Sequence, residues 1–186
     1  MNNNEREAYL VKGVEMLSPL FAANGITLPP VKVSCSWPGG GSKQTRIGEC
    51  WPRKCSAAQI NEIFISPSIE NSVRALDILT HELIHAVDDC EHGHKGPFVS
   101  MMKAIGLEGK PTATIAGERL HGELQAIVDT IGEYPHAKLT APGPKQKSRQ
   151  LKAWCEDCGA VWRMSSLWIQ QAVTCPCCQS DSIDHE

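Results

Sequence analysis

The stretch "HELIHAVDDCEHGHKGPF", residues 81–98, constrains this chain more than any other segment. It opens on His-Glu-x-x-His. On a helix, residues four apart lie on one face, so His81 and His85 can both reach one cation. The residues upstream supply that helix. At roughly 100° per residue, Leu76, Leu79, Leu83 and Val87 fall on one apolar stripe. His81 and His85 then project to the opposite side, with Glu82 between the two faces. Two neutral imidazoles, an adjacent carboxylate and an open coordination position form the donor set of a zinc hydrolase. Glu82 is the expected catalytic residue. It takes a proton from water as general base and returns it to the leaving amine.

A catalytic zinc site takes a third protein ligand. The metzincin spacing places Gly at position 88 and His at 91, but Asp88 and Glu91 stand there. The gluzincin arrangement takes a carboxylate from a later helix, where Glu118 and Glu123 are available and Asp129 could orient a histidine. A third arrangement uses a histidine in the turn after the helix, here His92 or His94. Asp88, Asp89 and Glu91 either accept hydrogen bonds from ligand N–H groups or solvate the helix end.

The chain ends in a second metal pattern. "WCEDCGAVW" supplies Cys155 and Cys158, and "VTCPCCQS" supplies Cys175, Cys177 and Cys178. Taking Cys175 and Cys178 gives C-x2-C-x16-C-x2-C, a structural zinc spacing. Cys177 is a competing choice. A tail of about 35 residues buries too little surface to fold alone, so the metal would hold it. Two zinc ions are expected, one catalytic and one structural. Cys35, Cys50 and Cys55 fall in or beside the strands and could approach one another, but free thiols fit them better. Cys90 reads as a bystander.

With 186 residues the chain can hold one good core and a small appendage. Its start, "MNNNEREAYL", has no basic segment followed by an apolar run, and no stretch of about 18 apolar residues occurs. An intracellular location in a reducing compartment is expected, nucleoid or nucleus included, and cysteine pairs there read as metal ligands before disulfides. The formal net charge of −3 is unevenly spread. Residues 135–154 carry Lys138, Lys145, Lys147, Arg149 and Lys152 and no acid. That stretch suits a polyanion or a solvated linker.

Hydrophobic spacing predicts a helix over 4–24, stopped at Asn24-Gly25. Runs at 31–37, around "QTRIGECW" and at 60–66 predict a three-stranded antiparallel sheet. Ser66-Pro67 predicts the start of the metal helix, which runs to about 88–90. A further helix from Gly96 to Gly106, a loop at "GLEGKPT" and a helix in "GERLHGELQAIVDTIGEY" follow. The whole is an α+β fold with domains at 1–134 and 151–186, joined by a basic linker at 135–150.

Taken in order, "RIGECW", "INEIFIS", "LDILTHELIHA", the His-rich turn with its aromatic, and the cysteine tail resemble the SprT-like (spartan-like) zinc metallopeptidases, from about residue 30 onward. The resemblance implies a zincin-like core with a C-terminal zinc ribbon. It also implies peptide-bond hydrolysis and a third ligand in a His-Gly-x-x-aromatic segment. Phe98 lies four residues after His94, which favours His94. His92 has the following glycine, Gly93, whereas Lys95 stands where the family has Gly after the ligand. Protein substrates associated with DNA are implied as well. Trp154, Trp162, Arg163 and Trp168 could offer stacking faces and a cation for single-stranded or damaged DNA beside the basic linker. The alternative is a nucleic-acid-binding or regulatory zinc protein whose metal site does no chemistry; retention of Glu82 speaks against it.

Overall fold

A computed structural model describes residues 5–39, 46–140, 150–171 and 173–186. The chain divides into two compact units, Met1–Ala141 and Pro142–Glu186. The first is built from α1 (Glu5–Ala23), β1 (Val31–Cys35), β2 (Gly48–Trp51), β3 (Asn61–Ile65) and α2 (Ser72–Val87), followed by α3 (Pro97–Ile105), β4 (Leu107–Lys110), β5 (Ala113–Ala116) and α4 (Glu118–Ile131). Mixed helices and small sheets make this an α+β architecture.

α1 buries Tyr9, Leu10, Gly13, Leu17 and Phe21, the helical spacing expected of one inward face. It stops as the Asn24-Gly25 pair predicts. Gly25 takes φ +72°, and the Ile26 N–H bonds back to the Phe21 carbonyl at 3.0 Å. Gly13 lets α1 approach α2 closely. A methyl group there would sit 2.8 Å from Leu76 Cδ2.

The three-stranded sheet is mixed, not antiparallel. Its order is β1-β3-β2, with β1 parallel to β3 and β2 antiparallel to β3. Successive hairpins would have kept β2 in the middle. Instead β3, whose Asn61, Ile63 and Ile65 are buried, takes the centre and leaves β2 at the edge.

α2 starts later than Ser66-Pro67. The Ser66 hydroxyl accepts the Ser68 N–H at 3.2 Å in a local turn, and Asn71 caps the helix by accepting the Arg74 N–H at 2.8 Å. Pro67 instead offers its carbonyl to the chain after α4, to the Leu139 N–H at 2.7 Å and His136 Nε2 at 2.8 Å. α2 is the central helix, in contact with α1, α3, α4 and the sheet. Burial therefore extends beyond its predicted stripe. Leu76, Leu79 and Leu83 are fully buried, and so are Ile84 and Ala75 on other faces, while Val87 is half-buried.

"GLEGKPT" opens a hairpin and is not a loop. β4 and β5 pair antiparallel, Leu107 opposite Ala116 and Lys110 opposite Ala113. Leu107 is the one buried residue of β4 and Thr114 of β5, so no alternating hydrophobic pattern announces either strand. Residues 135–140, assigned to the linker from sequence, bond to the first unit through Pro67 and Glu70. The remainder up to residue 149 lies outside the described residues.

The second unit is a three-stranded antiparallel sheet, order β7-β6-β8, formed by β6 (Gln150–Cys155), β7 (Val161–Ser165) and β8 (Ile183–His185), with the single-turn helix α5 (Ser166–Ile169). Its buried residues among those described are Ala153, Cys155 and Cys175. Among the described residues no helix is long and apolar enough to cross a membrane.

Candidate metal centres

His81 and His85 project from one face of α2, as their spacing requires. α2 ends in a turn that brings the chain back across this face. Asp89 takes φ +48°, and the Cys90 N–H bonds to the His85 carbonyl at 2.9 Å. The turn delivers His94, and α3 begins at Pro97. Phe98, fully buried, fixes the register. Its ring stacks on His85 at 4.4 Å between centroids and meets His81 at 4.9 Å and His94 at 5.1 Å edge-on.

The three imidazoles converge. His94 Nε2 lies 3.2 Å from His81 Nε2 and 3.2 Å from His85 Nε2. Nitrogens at about 2.0–2.1 Å from a tetrahedral zinc stand roughly 3.3–3.4 Å apart, so this group fits such an ion. Burial, then the neighbouring His85, His94 and Arg74, pushes His81 down to about 3. Burial and His94 push His85 down to about 4, and burial lowers His94. All three are therefore neutral near pH 7, with lone pairs available to a cation.

With Nε2 turned to the shared centre, His81 Nδ1 carries the proton and donates to Thr114 Oγ1 at 2.8 Å. Thr114 is held in turn, since the Arg74 guanidinium donates to its carbonyl at 3.2 Å and pairs with Asp77. The hairpin thus orients one imidazole.

The alternative ligands His92, Glu118 and Glu123, and the acids expected to orient a ligand, are not part of this group. His92 is exposed and bonds to Asp88 through Nδ1 at 2.7 Å and its N–H at 2.8 Å. Asp89 is occupied by the Arg53 N–H and Asn61, both at 2.9 Å. Glu91 is exposed. On α4, Leu120, Leu124, Ile127 and Val128 turn inward. Glu118 is exposed, Glu123 pairs with Arg119 at 2.6 Å, and Asp129 accepts from Gln125.

Glu82 is 6% exposed and lines the same cavity of about 480 Å³ as the three histidines. Burial pushes its carboxyl up to about 8, with smaller contributions from Cys90 and Glu49 and a countering one from Arg46. Gly48 of β2 makes room for it. A methyl group at that position would sit 2.6 Å from Ile78 Cγ2 and collide with the Glu82 carboxylate.

In the second unit Cys155, Cys158, Cys175 and Cys178 group within 4.8 Å of one another. Cys155 Sγ lies 3.6 Å from Cys178 Sγ, and Cys158 Sγ lies 3.5 Å from Cys175 Sγ. Sulfurs at about 2.3 Å from a tetrahedral zinc stand roughly 3.8 Å apart, so this group also fits. Each Cys-x-x-Cys turn is followed by a left-handed residue, Gly159 at φ +73° and Gln179 at φ +61°, and each closes with an N–H bond to its first cysteine carbonyl at 2.9 Å. Cys177 is exposed and outside the group, but its N–H reaches Cys175 Sγ at 3.4 Å. Although burial acts against it, backbone N–H groups of Cys178 and Cys177 hold the Cys175 thiol down at about 6.

Comparison with protein-family models, with curated proteins and with solved structures found no match for this chain. The chemistry of the two groups therefore stands on their own geometry. Each could hold a metal ion. The first has three nitrogen donors, a cavity and a carboxyl beside it, and an ion held by the three would keep a coordination position open. The second has four sulfur donors, which would complete a tetrahedron around an ion by themselves.

Sequence reasoning missed three participants. Thr114 sits on a strand with no strand signature. Arg74 carries no motif. Gly48 falls within "RIGECW", but its contact with Glu82 crosses 34 residues of chain. Cys35, Cys50 and Cys55 do not gather. Cys35 contacts Arg6, Cys55 is exposed, and Cys50 meets Cys90 instead.

Proposed function

We propose that the chain is a zinc-dependent endopeptidase of the SprT-like type. The observation that carries this reading is the convergence of three imidazole Nε2 atoms in a cavity that also holds a buried carboxyl. His81, His85 and His94 would hold the catalytic zinc, and Cys155, Cys158, Cys175 and Cys178 the structural one. When bound, the catalytic zinc supplies Lewis acidity toward a peptide carbonyl and toward water. Glu82 takes a proton from water at its carboxylate and passes it to the leaving amine. Burial makes that carboxylate a stronger base than an exposed one. Thr114 holds His81 in the tautomer that presents Nε2, and Phe98 holds the turn that presents His94.

The resemblance extends the proposal to substrates associated with DNA. The second unit offers an exposed Trp168 and Leu167, and Lys152 lies 5.6 Å from the Trp154 ring centroid. Trp154 and Trp162 are half-buried. These features also suit the second reading, a nucleic-acid-binding or regulatory zinc protein without hydrolytic activity.

One comparison separates the two. Zinc-loaded wild type and Glu82→Gln are incubated with a DNA-binding protein, with and without single-stranded DNA. The expected result is cleavage by wild type and a loss of about 10²–10⁴-fold in Glu82→Gln, at unchanged zinc content. Equal cleavage by both, or none by either under any DNA condition, would sink the peptidase reading.

A further inference from the structure

Cys50 and Cys90 come from distant parts of the chain, β2 and the turn after α2, and both line the cavity of the histidine centre. Cys90 Sγ lies 3.4 Å from the Cys50 carbonyl oxygen. The backbone holds it there. Asp89 and Cys90 are consecutive residues in the left-handed region, at φ +48° and +61°, where side-chain-bearing residues rarely sit. Asp89 is fixed by the Arg53 N–H and Asn61 Nδ2, and Arg53 Nε adds a contact at 3.3 Å. The turn is thus over-determined, and its product is a thiol aimed at the strand that carries another.

We propose that Cys50 and Cys90 are a thiol modification site that closes to an intramolecular disulfide on reaction with a low-molecular-weight disulfide of the glutathione type. Cys90 is the attacking group, since the turn holds its Sγ within hydrogen-bond reach of Cys50, at the carbonyl oxygen, so a mixed disulfide formed on Cys90 stands beside the second cysteine. The Cys90 thiolate attacks one sulfur of the reagent, forms a mixed disulfide and expels one thiolate. Cys50 then gives up its proton and attacks Cys90 Sγ, expelling the second. One protein S–S bond forms from two thiols, and the reagent is reduced to two thiols. The cross-link would fasten β2, which lies against Glu82 at Gly48, to the turn that carries His94.

The test reads thiol chemistry and not hydrolysis, so its outcome is separate from that of the peptidase reading. Full-length zinc-loaded protein is incubated with glutathione disulfide, its remaining thiols are trapped by alkylation, and the digest is mapped by mass spectrometry. The expected result is a peptide pair joined through Cys50 and Cys90 with the loss of two hydrogens. Cys50→Ser should stop the second step and leave one glutathionyl group on Cys90. Exposed Cys55 serves as the reagent control. Recovery of Cys50 and Cys90 as alkylated thiols, or a mixed disulfide at Cys90 that persists in the wild type, overturns the proposal.

Discussion

At position 48 one hydrogen in place of a methyl group decides where Glu82 can sit. Gly48→Ala would push against both Ile78 and the carboxylate, and on the proposed peptidase reading, with Glu82 as the base, such a displacement weakens proton transfer sharply. Hydrolysis should fall about tenfold or more, while zinc content measured by atomic absorption stays level. A matching drop in zinc would show that the glycine serves the ligands instead. Glu82 also sets a pH dependence in the metal-free protein. Its carboxyl stands near 8 in the fold against an ordinary 4.5. Between those values the unfolded chain has released a proton that the folded chain keeps, so stability falls as pH rises through this window. Hydrogen exchange of α2 should show wild type losing protection relative to Glu82→Gln above pH 8 but not below 4.5. A constant difference would contradict that burial. Of these residues the histidines were the legible ones. His81 and His85 declare themselves by spacing; for the third position the residues alone leave His92 and His94 open, and only the family resemblance, through the distance to Phe98, favours His94. Gly48 was not, because its neighbour is set by how β2 crosses α2.

Among the elements, the β4–β5 hairpin has the greatest effect for its size. Four residues in each strand, mostly exposed, place one hydroxyl on His81 Nδ1. Thr114→Val keeps the shape and removes that partner. Zinc affinity of the histidine centre should drop about 10–100-fold, measured by competition with a chromogenic chelator. Unchanged affinity would mean that Phe98 alone orients the ring. The elements show where sequence signals run out. α1 and α4 repeat apolar residues at helical spacing, and their extents are close to expectation. The hairpin repeats nothing, because one buried residue per strand makes no period. The sheet's direction was misread for a related reason. β1 and β2 are consecutive in sequence, yet β3 enters between them, and pairing across such a distance leaves no local trace.

For the whole molecule, the two units differ in what keeps them folded. The first buries a continuous core from Tyr9 to Tyr134. In the second, Ala153, Cys155 and Cys175 are the buried residues among those described, too little to outweigh chain entropy without a metal. Chelation with a strong zinc ligand should therefore erase the amide protection of β6 and β7 while α1 and α2 remain protected. Simultaneous loss in both units, or survival of β6 and β7, would overturn that division. The junction between the units has a mechanical consequence. Just before the chain leaves the first unit, the Tyr134 N–H bonds to Ser72 Oγ at 2.9 Å, Glu133 accepts from the same hydroxyl, His136 and Leu139 grip Pro67, and Lys138 pairs with Glu70 at 3.4 Å. All these partners lie at or just before the start of α2. A pull transmitted along the chain from the second unit would meet this clamp before it reached α4, and would be borne at the N-terminal end of the helix bearing His81 and His85.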